Sequence, residues 1–301
     1  MRRQIFAIVV VTIVALAGQA SDADAQPVTT LGSFTRDSSP KTLFEALLWQ
    51  TPEAKSKHHS EEEERLEPDR PHFPEASTTV GNGRVMLEGG YTYTRKDSVL
   101  VSHGLPESLL RVGMFANWFE FRIGQNFLSE RRTSAAGTFD ASGAQDIYLG
   151  MKFALTEQRG LLPTAAVIPQ MTTPTGSRAV TAGRTLPGVN LDLSWEVVKD
   201  SFAIELLIAN NRVQDENGSS RHELGTGLTA GFQLTKKLEA FVEWDAFYPA
   251  HGIGPSGPRH YAVGGLVYFL TPNLAVDARV GVGLNDRSNS FLAGIGFAVR
   301  R

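Results

Sequence analysis

The feature that most constrains the fold is a series of segments of about ten residues, from Arg84 onward, in which apolar and polar residues alternate. Phe119 and Phe121, for example, are separated by Glu120, and Arg122 follows. Period two is the spacing of a β-strand whose two faces meet different surroundings. The chain beyond Arg84 is therefore predicted to be all-β.

About twelve such segments can be counted, some more regular than others. An even number of strands allows an antiparallel chain to close into a barrel with both ends on the same side. The sequence therefore predicts a transmembrane antiparallel β-barrel of about 12 strands, preceded by a short irregular N-terminal extension. The predicted strands are 84–95, 99–114, 118–128, 145–155, 161–173, 188–197, 201–210, 222–234, 238–247, 259–270, 273–284 and 291–300.

The links between these segments tend to alternate in length. Ala116–Asn117 and Lys199–Asp200 are short, whereas Ser129–Ala144 and Pro174–Arg184 are long. Outer-membrane barrels have short periplasmic turns and longer extracellular loops. We therefore expect both termini and the short turns to be periplasmic.

The N-terminus has the order of a secretory signal peptide. Arg2 and Arg3 precede an apolar run, Ile5–Ala17, and Ala23–Ala25 offers a small-residue cleavage site. A transmembrane anchor is the alternative, but the run is short for a bilayer span. We expect residues 1–25 to direct export and to be removed.

Residues 26–83 lack the alternating pattern. A short amphipathic helix is possible at Thr42–Gln50, and Lys55–Arg70 is highly charged with Glu61–Glu64 at its centre. Charged stretches of this kind tend to be solvated. We expect a periplasmic, partly disordered extension at 26–83 and the barrel at 84–301.

A soluble β-barrel is the main structural alternative, because the 42% hydrophobic content and the mean hydropathy of −0.14 are ordinary for a globular protein. Three observations favour the membrane: the export signal, an inner set of residues rich in Gly and in both charge signs, and a strand number that encloses more volume than these apolar side chains would fill.

The chain has no Cys, which excludes a disulfide scaffold. The net charge of −3 gives no indication of nucleic-acid binding.

Charged residues on the inward face are the candidate lumen or pore residues. They carry both signs, so they can set a field that selects permeants, or they can pair with one another and hold the interior together. Six acids against three bases predict a mild cation preference if the pore is open. The candidates are Glu120, Arg122, Lys152, Asp192, Glu196, Glu243, Asp245, Asp277 and Arg279.

An outer-membrane lipid hydrolase is the main enzymatic alternative. Such an enzyme needs a Ser activated by a His in reach, and none of the seven His residues begins a His-x-Ser sequence. Ser102 and His103 would lie on opposite faces of a strand. We therefore predict that the chain is not an enzyme and uses no cofactor and no metal.

Several short motifs resemble one family in their order along the chain. They include Glu67–Pro71, Leu87–Tyr91, Leu110–Gly113, Pro174–Gly176 and Gly281–Asn285. This order is similar to that of an outer-membrane transporter family labelled after the meta-pathway of phenol degradation. The resemblance covers residues 67–301, and it implies a barrel with a transport role.

Pattern and resemblance together predict an outer-membrane channel or transporter that passes small solutes, aromatic or other hydrophobic ones included, through a charged lumen. A structural or adhesion barrel with a plugged lumen is the second hypothesis, and the lipid hydrolase is the third. The expected partners are outer-membrane lipid, a small-molecule permeant and the outer-membrane assembly machinery.

Overall fold

A computed structural model describes residues 40–48, 65–214, 218–250 and 257–301. One short helix, α1 (Leu43–Leu48), lies within the predicted helical stretch, and the Thr42 hydroxyl accepts a hydrogen bond from the Glu45 amide at its start. The strands are β1 Val85–Lys96, β2 Leu100–Gly113, β3 Phe119–Ser134, β4 Gly137–Ala144, β5 Ile147–Thr156, β6 Thr164–Thr173, β7 Leu186–Val198, β8 Phe202–Gln214, β9 Ser220–Thr235, β10 Leu238–Pro249, β11 Arg259–Thr271, β12 Leu274–Gly283 and β13 Phe291–Arg300.

The strands form one closed antiparallel barrel. Each strand pairs with its neighbour in the chain from β5 to β13, β3 joins β2 to β5, and β13 pairs with β1. Twelve strands therefore make the ring, and β4 is an additional strand that extends the hairpin with β3. The prediction of an all-β barrel of about twelve strands is confirmed.

The additional strand β4 differs from the prediction, which has a long link at Ser129–Ala144. In the structure β3 continues to Ser134, turns, and returns as β4 with Arg131 opposite Asp140. The Arg131 guanidinium donates to the Asp140 carboxylate at 2.8 Å. Both faces of this hairpin are largely polar and exposed, so it lacks the alternation by which the other strands were recognised.

The two faces of the barrel have the opposite polarity to that of a soluble barrel. On β10, Val242 is 58% exposed on the outside, whereas its neighbour Glu243 is 6% exposed and faces the lumen. On β3, Phe119 and Phe121 point outward and Glu120 is completely buried. Apolar side chains on the outer surface and charged ones in the interior are the arrangement of transmembrane barrels.

The start of β1, the end of β13 and several short links lie at one end of the barrel. Residues 199–201, 236–237 and 272–273 connect strands at that end, whereas the longer link 174–185 and the short β1–β2 turn 97–99 lie at the other end. No helix of the described residues is long and apolar enough to cross a membrane.

Residues 65–83, which we call the inner segment, lie within the barrel. The segment enters beside the short β11–β12 turn, where the Leu66 amide donates to the Pro272 carbonyl at 2.8 Å. It leaves where the Val80 amide donates to Glu120 on β3. Between these points it contacts Glu88 of β1 and Glu205 of β8, which lie opposite one another around the ring. A segment that reaches both sides must occupy the lumen.

This placement corrects the prediction of a periplasmic extension at 26–83 for residues 65–83. In the described part of the charged stretch, Asp69 and Arg70 form ion pairs with side chains of the barrel strands. The predicted signal peptide 1–25 lies outside the described residues, as do 26–39 and 49–64. The first barrel strand begins at Val85, and the rest of the predicted division of the chain stays a prediction.

Closure of the ring between β1 and β13 can be tested by a disulfide. Val85 and Arg301 exchange two backbone hydrogen bonds of 2.8 Å, which makes Thr94 and Leu292, nine residues along, a non-hydrogen-bonded pair. Such pairs have Cα atoms about 4.5 Å apart, within disulfide range. We expect Thr94→Cys/Leu292→Cys to form a disulfide in this Cys-free chain, seen as altered mobility on non-reducing gels after boiling.

The control is Thr94→Cys/Leu274→Cys, since Leu274 lies at the other end of the neighbouring strand β12. It is expected to stay uncrosslinked under the same oxidant. Equal crosslinking of both pairs, or of neither, would contradict the closed register.

Candidate functional site in the barrel lumen

The lumen is organised around the carboxylate of Asp69, in the middle of the inner segment. Lys152 Nζ lies 3.0 Å from Asp69 Oδ1, Arg111 Nη1 lies 3.1 Å from the same oxygen, and Arg122 Nη2 lies 2.5 Å from Oδ2. All four side chains are buried. A carboxylate removed from water requires such partners, because an isolated buried charge is very costly.

The three cations come from adjacent strands of the barrel. Arg111 on β2 is the register partner of Arg122 on β3, and Lys152 on β5 is the partner of Glu120 on β3. Inward-facing positions recur at every second residue, so pairing in this register brings the three cations side by side on one wall. We call Arg111, Arg122 and Lys152 the cationic wall.

Two strand carboxylates connect this wall to the inner segment. Glu120 accepts from Arg111 Nε at 2.8 Å and from the Val80 amide at 2.8 Å. Glu88 accepts from Arg111 Nη1 at 3.0 Å and from the amides of Asp69 and Arg70 at 3.1 and 2.9 Å. The segment's backbone is therefore held by the same carboxylates that orient Arg111.

The opposite side of the lumen carries carboxylates that hold the other part of the segment. Glu243 on β10 accepts from the Phe73 amide at 3.1 Å, and Asp192 on β7 accepts from the Glu75 amide at 3.0 Å. His72 Nδ1 lies 3.3 Å from Glu205 on β8. These contacts place acids of the wall against donors of the segment.

Arg70 and Arg279 complete the contacts at the third side of the lumen. Arg70 Nη1 donates to Glu107 on β2 at 2.6 Å, and its Nε lies 3.7 Å from Asp277 on β12. Arg279 Nη1 donates to the Pro71 carbonyl at 2.7 Å. The segment thus bonds to strands on every side of the ring.

Asp69 stays ionised in this surrounding. Burial raises the pKa of its carboxyl, but the nearby charges of Arg111, Arg122 and Lys152 lower it further, so the pKa of Asp69 lies below its ordinary value. A depressed pKa means that the ion pairs persist through neutral pH and are lost only in strong acid.

The structure places eight of the nine predicted lumen residues in this interior. They are buried or partly buried and lie near the inner segment: Glu120, Arg122, Lys152, Asp192, Glu243, Asp245, Asp277 and Arg279. Glu196 differs, because it lies exposed near the end of β7, where its carboxylate accepts from the Asp200 amide at 2.8 Å. That these residues line an open pore stays a prediction.

Three residues of this cluster, Asp69, Arg70 and Arg111, are not among the predicted lumen residues. Asp69 and Arg70 belong to a motif that was noted only for its resemblance. Arg111 was missed because β2 has an irregularity between Leu105 and Ser108 that interrupts its alternation. Strand periodicity alone therefore could not assign the inward side of β2.

A cavity of about 470 Å³ lies in the lumen between the inner segment and the long links. Glu75 of the segment and Arg122 of the wall bound it, and Tyr148, Gln125 and Asn126 line its sides. Among the described residues no group of His, Asp and Glu side chains is arranged to hold a metal ion.

Fold, polarity and lumen define the class: this is a β-barrel of the outer-membrane type. The chain belongs to the family described as "Putative MetA-pathway of phenol degradation", which it matches over residues 68–300. The resemblance expected from the motifs is thereby confirmed. No curated protein is significantly similar in sequence.

Several solved structures match this chain, to different degrees. The COG4313 outer membrane channel from Pseudomonas putida F1 has 14% sequence identity and a TM-score of 0.58, covering 76% of this chain and 99% of its own. The translocator domain of the autotransporter NalP from Neisseria meningitidis has 9% identity and a TM-score of 0.47, covering 73% and 88%. At this identity the first likeness establishes the barrel fold.

The contribution of the cationic wall to stability can be tested at Lys152. Lys152→Met removes a cation that contacts Asp69 and also the hydrogen bond of 2.7 Å to the Ala76 carbonyl. Breaking a buried ion pair from one side is strongly destabilising. We expect the free energy of unfolding in urea, measured in detergent micelles, to fall by about 3 kcal/mol.

The matched control is Lys236→Met, which changes an exposed lysine in the β9–β10 turn. Its effect is expected to stay within about 0.5 kcal/mol. Equal effects of the two substitutions would show that Lys152 does not hold the inner segment.

Proposed function

We propose that this chain is an outer-membrane channel for small solutes, and that the inner segment closes its lumen. The observation that carries the proposal is a cavity of about 470 Å³ inside a closed barrel, lined by both charged and apolar side chains and bounded on one side by the inner segment. The likeness in fold to the outer membrane channel from Pseudomonas putida F1 supports a transport role, and the family name refers to the degradation of phenol, a small aromatic compound. Small aromatic or other hydrophobic solutes are the proposed permeants.

The attachment of the inner segment supports a closure that can open. Residues 65–83 form no strand, and the segment is joined to the wall mainly by ion pairs and side-chain hydrogen bonds. No ladder of strand hydrogen bonds has to break when it moves. The inward charges would then line the pore and select solutes by charge and hydrogen bonding.

The same proposal assigns a location and partners. Apolar side chains on the outer face suit contact with outer-membrane lipid, and the end at which β1 begins and β13 ends suits the periplasmic side. Export by residues 1–25 and insertion by the outer-membrane assembly machinery are part of this proposal, as is the absence of enzymatic activity.

A permanently plugged structural barrel is the second candidate function. It is favoured by the burial of Asp69, Arg111 and Arg122, because several buried ion pairs hold the segment in place. The two candidates differ in one measurable property, since a plugged barrel conducts no ions.

Replacement of the inner segment separates the two candidates. We expect a variant in which residues 67–79 become a Gly–Ser sequence of equal length to conduct several-fold more than the wild type in planar bilayers, because the lumen loses its closure. Wild-type channels are expected to show small, discrete conductance steps. Heat-dependent gel mobility confirms that the variant is folded.

The control variant carries a Gly–Ser sequence of equal length at 40–48, outside the barrel strands. Its conductance is expected to equal that of the wild type. Absence of conductance in the wild type and in the 67–79 variant would overturn the channel proposal and leave the structural barrel.

A further inference from the structure

The cationic wall has an excess of positive charge on the strands alone. Arg111, Arg122 and Lys152 share two strand carboxylates, Glu88 and Glu120. The inner segment supplies two further carboxylates at this place, Asp69 and Glu75, which ion-pair with Arg122. Withdrawal of the segment would leave these three cations with one positive charge more than their strand carboxylates balance.

The groups that surround the Asp69 carboxylate, which we call its seat, have the geometry of a carboxylate-binding site. Its Oδ1 accepts from Lys152 Nζ and from the Ala76 amide, both at 3.0 Å, and its Oδ2 accepts from Arg122 Nη2. Arg111 Nη1 lies 3.1 Å from Oδ1. Charge-assisted hydrogen bonds to both oxygens are the strongest available to a carboxylate, and guanidinium groups match its planar shape.

The lumen cavity reaches this seat, because Arg122 both lines the cavity and donates to the Asp69 carboxylate. A solute that enters from the long-link end meets Arg122, and the acids that line the cavity are already engaged. Glu107 accepts from Arg70, and Asp146 accepts from the Thr181 hydroxyl and from the amides of the β6–β7 link. Apolar side chains at Leu109, Val180 and Leu186 offer surface to a carbon skeleton.

We propose that Arg111, Arg122 and Lys152 form a binding site for the carboxylate of small organic acids, and that Asp69 occupies this site as an internal carboxylate while the lumen is closed. The inference rests on the proposed channel function and names its substrate class. A permeating acid exchanges with Asp69, so the wall never loses its negative partner. Neutral solutes of the same shape lack this exchange.

The site can be tested by rescue of Asp69→Ala in the full chain. This variant removes the internal carboxylate and leaves space for an external one. At constant ionic strength, acetate is expected to raise the temperature of the heat-dependent mobility shift toward the wild-type value, and the effect is expected to saturate. Acetate should act at a concentration at least tenfold below that at which acetamide has any effect. Acetate is expected to leave the wild type and Asp69→Asn unchanged, because their seats are filled.

The carboxylate site would be overturned if acetamide rescued Asp69→Ala as effectively as acetate does. It would also be overturned if the variant folded and acetate did not rescue it. Rescue that persists in Asp69→Ala/Lys152→Met would also overturn it. Rescue is independent of conductance, so failure of the channel proposal and failure of the site give different results.

Solute entry into liposomes decides the question if Asp69→Ala does not fold in either solute. Wild-type protein is expected to pass benzoate at least tenfold faster than benzamide, and Arg122→Gln is expected to reduce this ratio toward one. The control Lys236→Met is expected to keep it. Equal rates for the two solutes would overturn the site while leaving a channel, whereas passage of neither would overturn the channel itself.

Discussion

The ion pairs between Asp69 and the three cations of β2, β3 and β5 are the interaction on which the interior depends. A lumen lined by charge is stable in two conditions: filled with water, or filled with matching charge. Here the inner segment provides the match, with carboxylates toward the cationic wall and with amides and basic side chains toward the acids of β7, β8 and β10. The wall and the segment therefore constrain one another's sequence.

Small residues let the inner segment approach the wall closely enough for these contacts. A Cβ atom added to Gly90 or to Gly296 would lie 2.4 Å from the Arg70 guanidinium, and one added to Gly113 would lie 1.8 Å from the Gly81 carbonyl oxygen. A side chain at Gly113 would push the backbone of the segment away from β2, whereas one at Gly90 or Gly296 would displace the Arg70 guanidinium. The glycines of the inward face, which in the sequence only suggested a polar lumen, thus have a steric role.

The barrel was predictable because apolar residues that face outward alternate with polar residues that face inward on almost every strand. Val242 and its neighbour Glu243 are an example. The inner segment was not predictable for the opposite reason. Its charges predict a solvated stretch. Local composition does not show that Asp69 will form ion pairs with Arg122 and Lys152, which lie 53 and 83 residues further along the chain. Hydrophobic periodicity reports which environment a residue prefers, and it does not report charge pairing between distant residues.

The distribution of charge around the ring changes how selectivity should be understood. The excess of acids over bases predicted a mild cation preference, but in the structure the two signs are unevenly distributed around the ring. The inward charges of β2, β3 and β5 are three bases and the acids Glu107 and Glu120, whereas acids lie on β7, β8 and β10, which partly separates the two signs. Across an opened lumen this separation sets a transverse field, so small cations and the carboxylates of organic acids can follow different walls of one pore. An overall acidic lumen and a local carboxylate site are therefore compatible, because selectivity depends on where each charge lies.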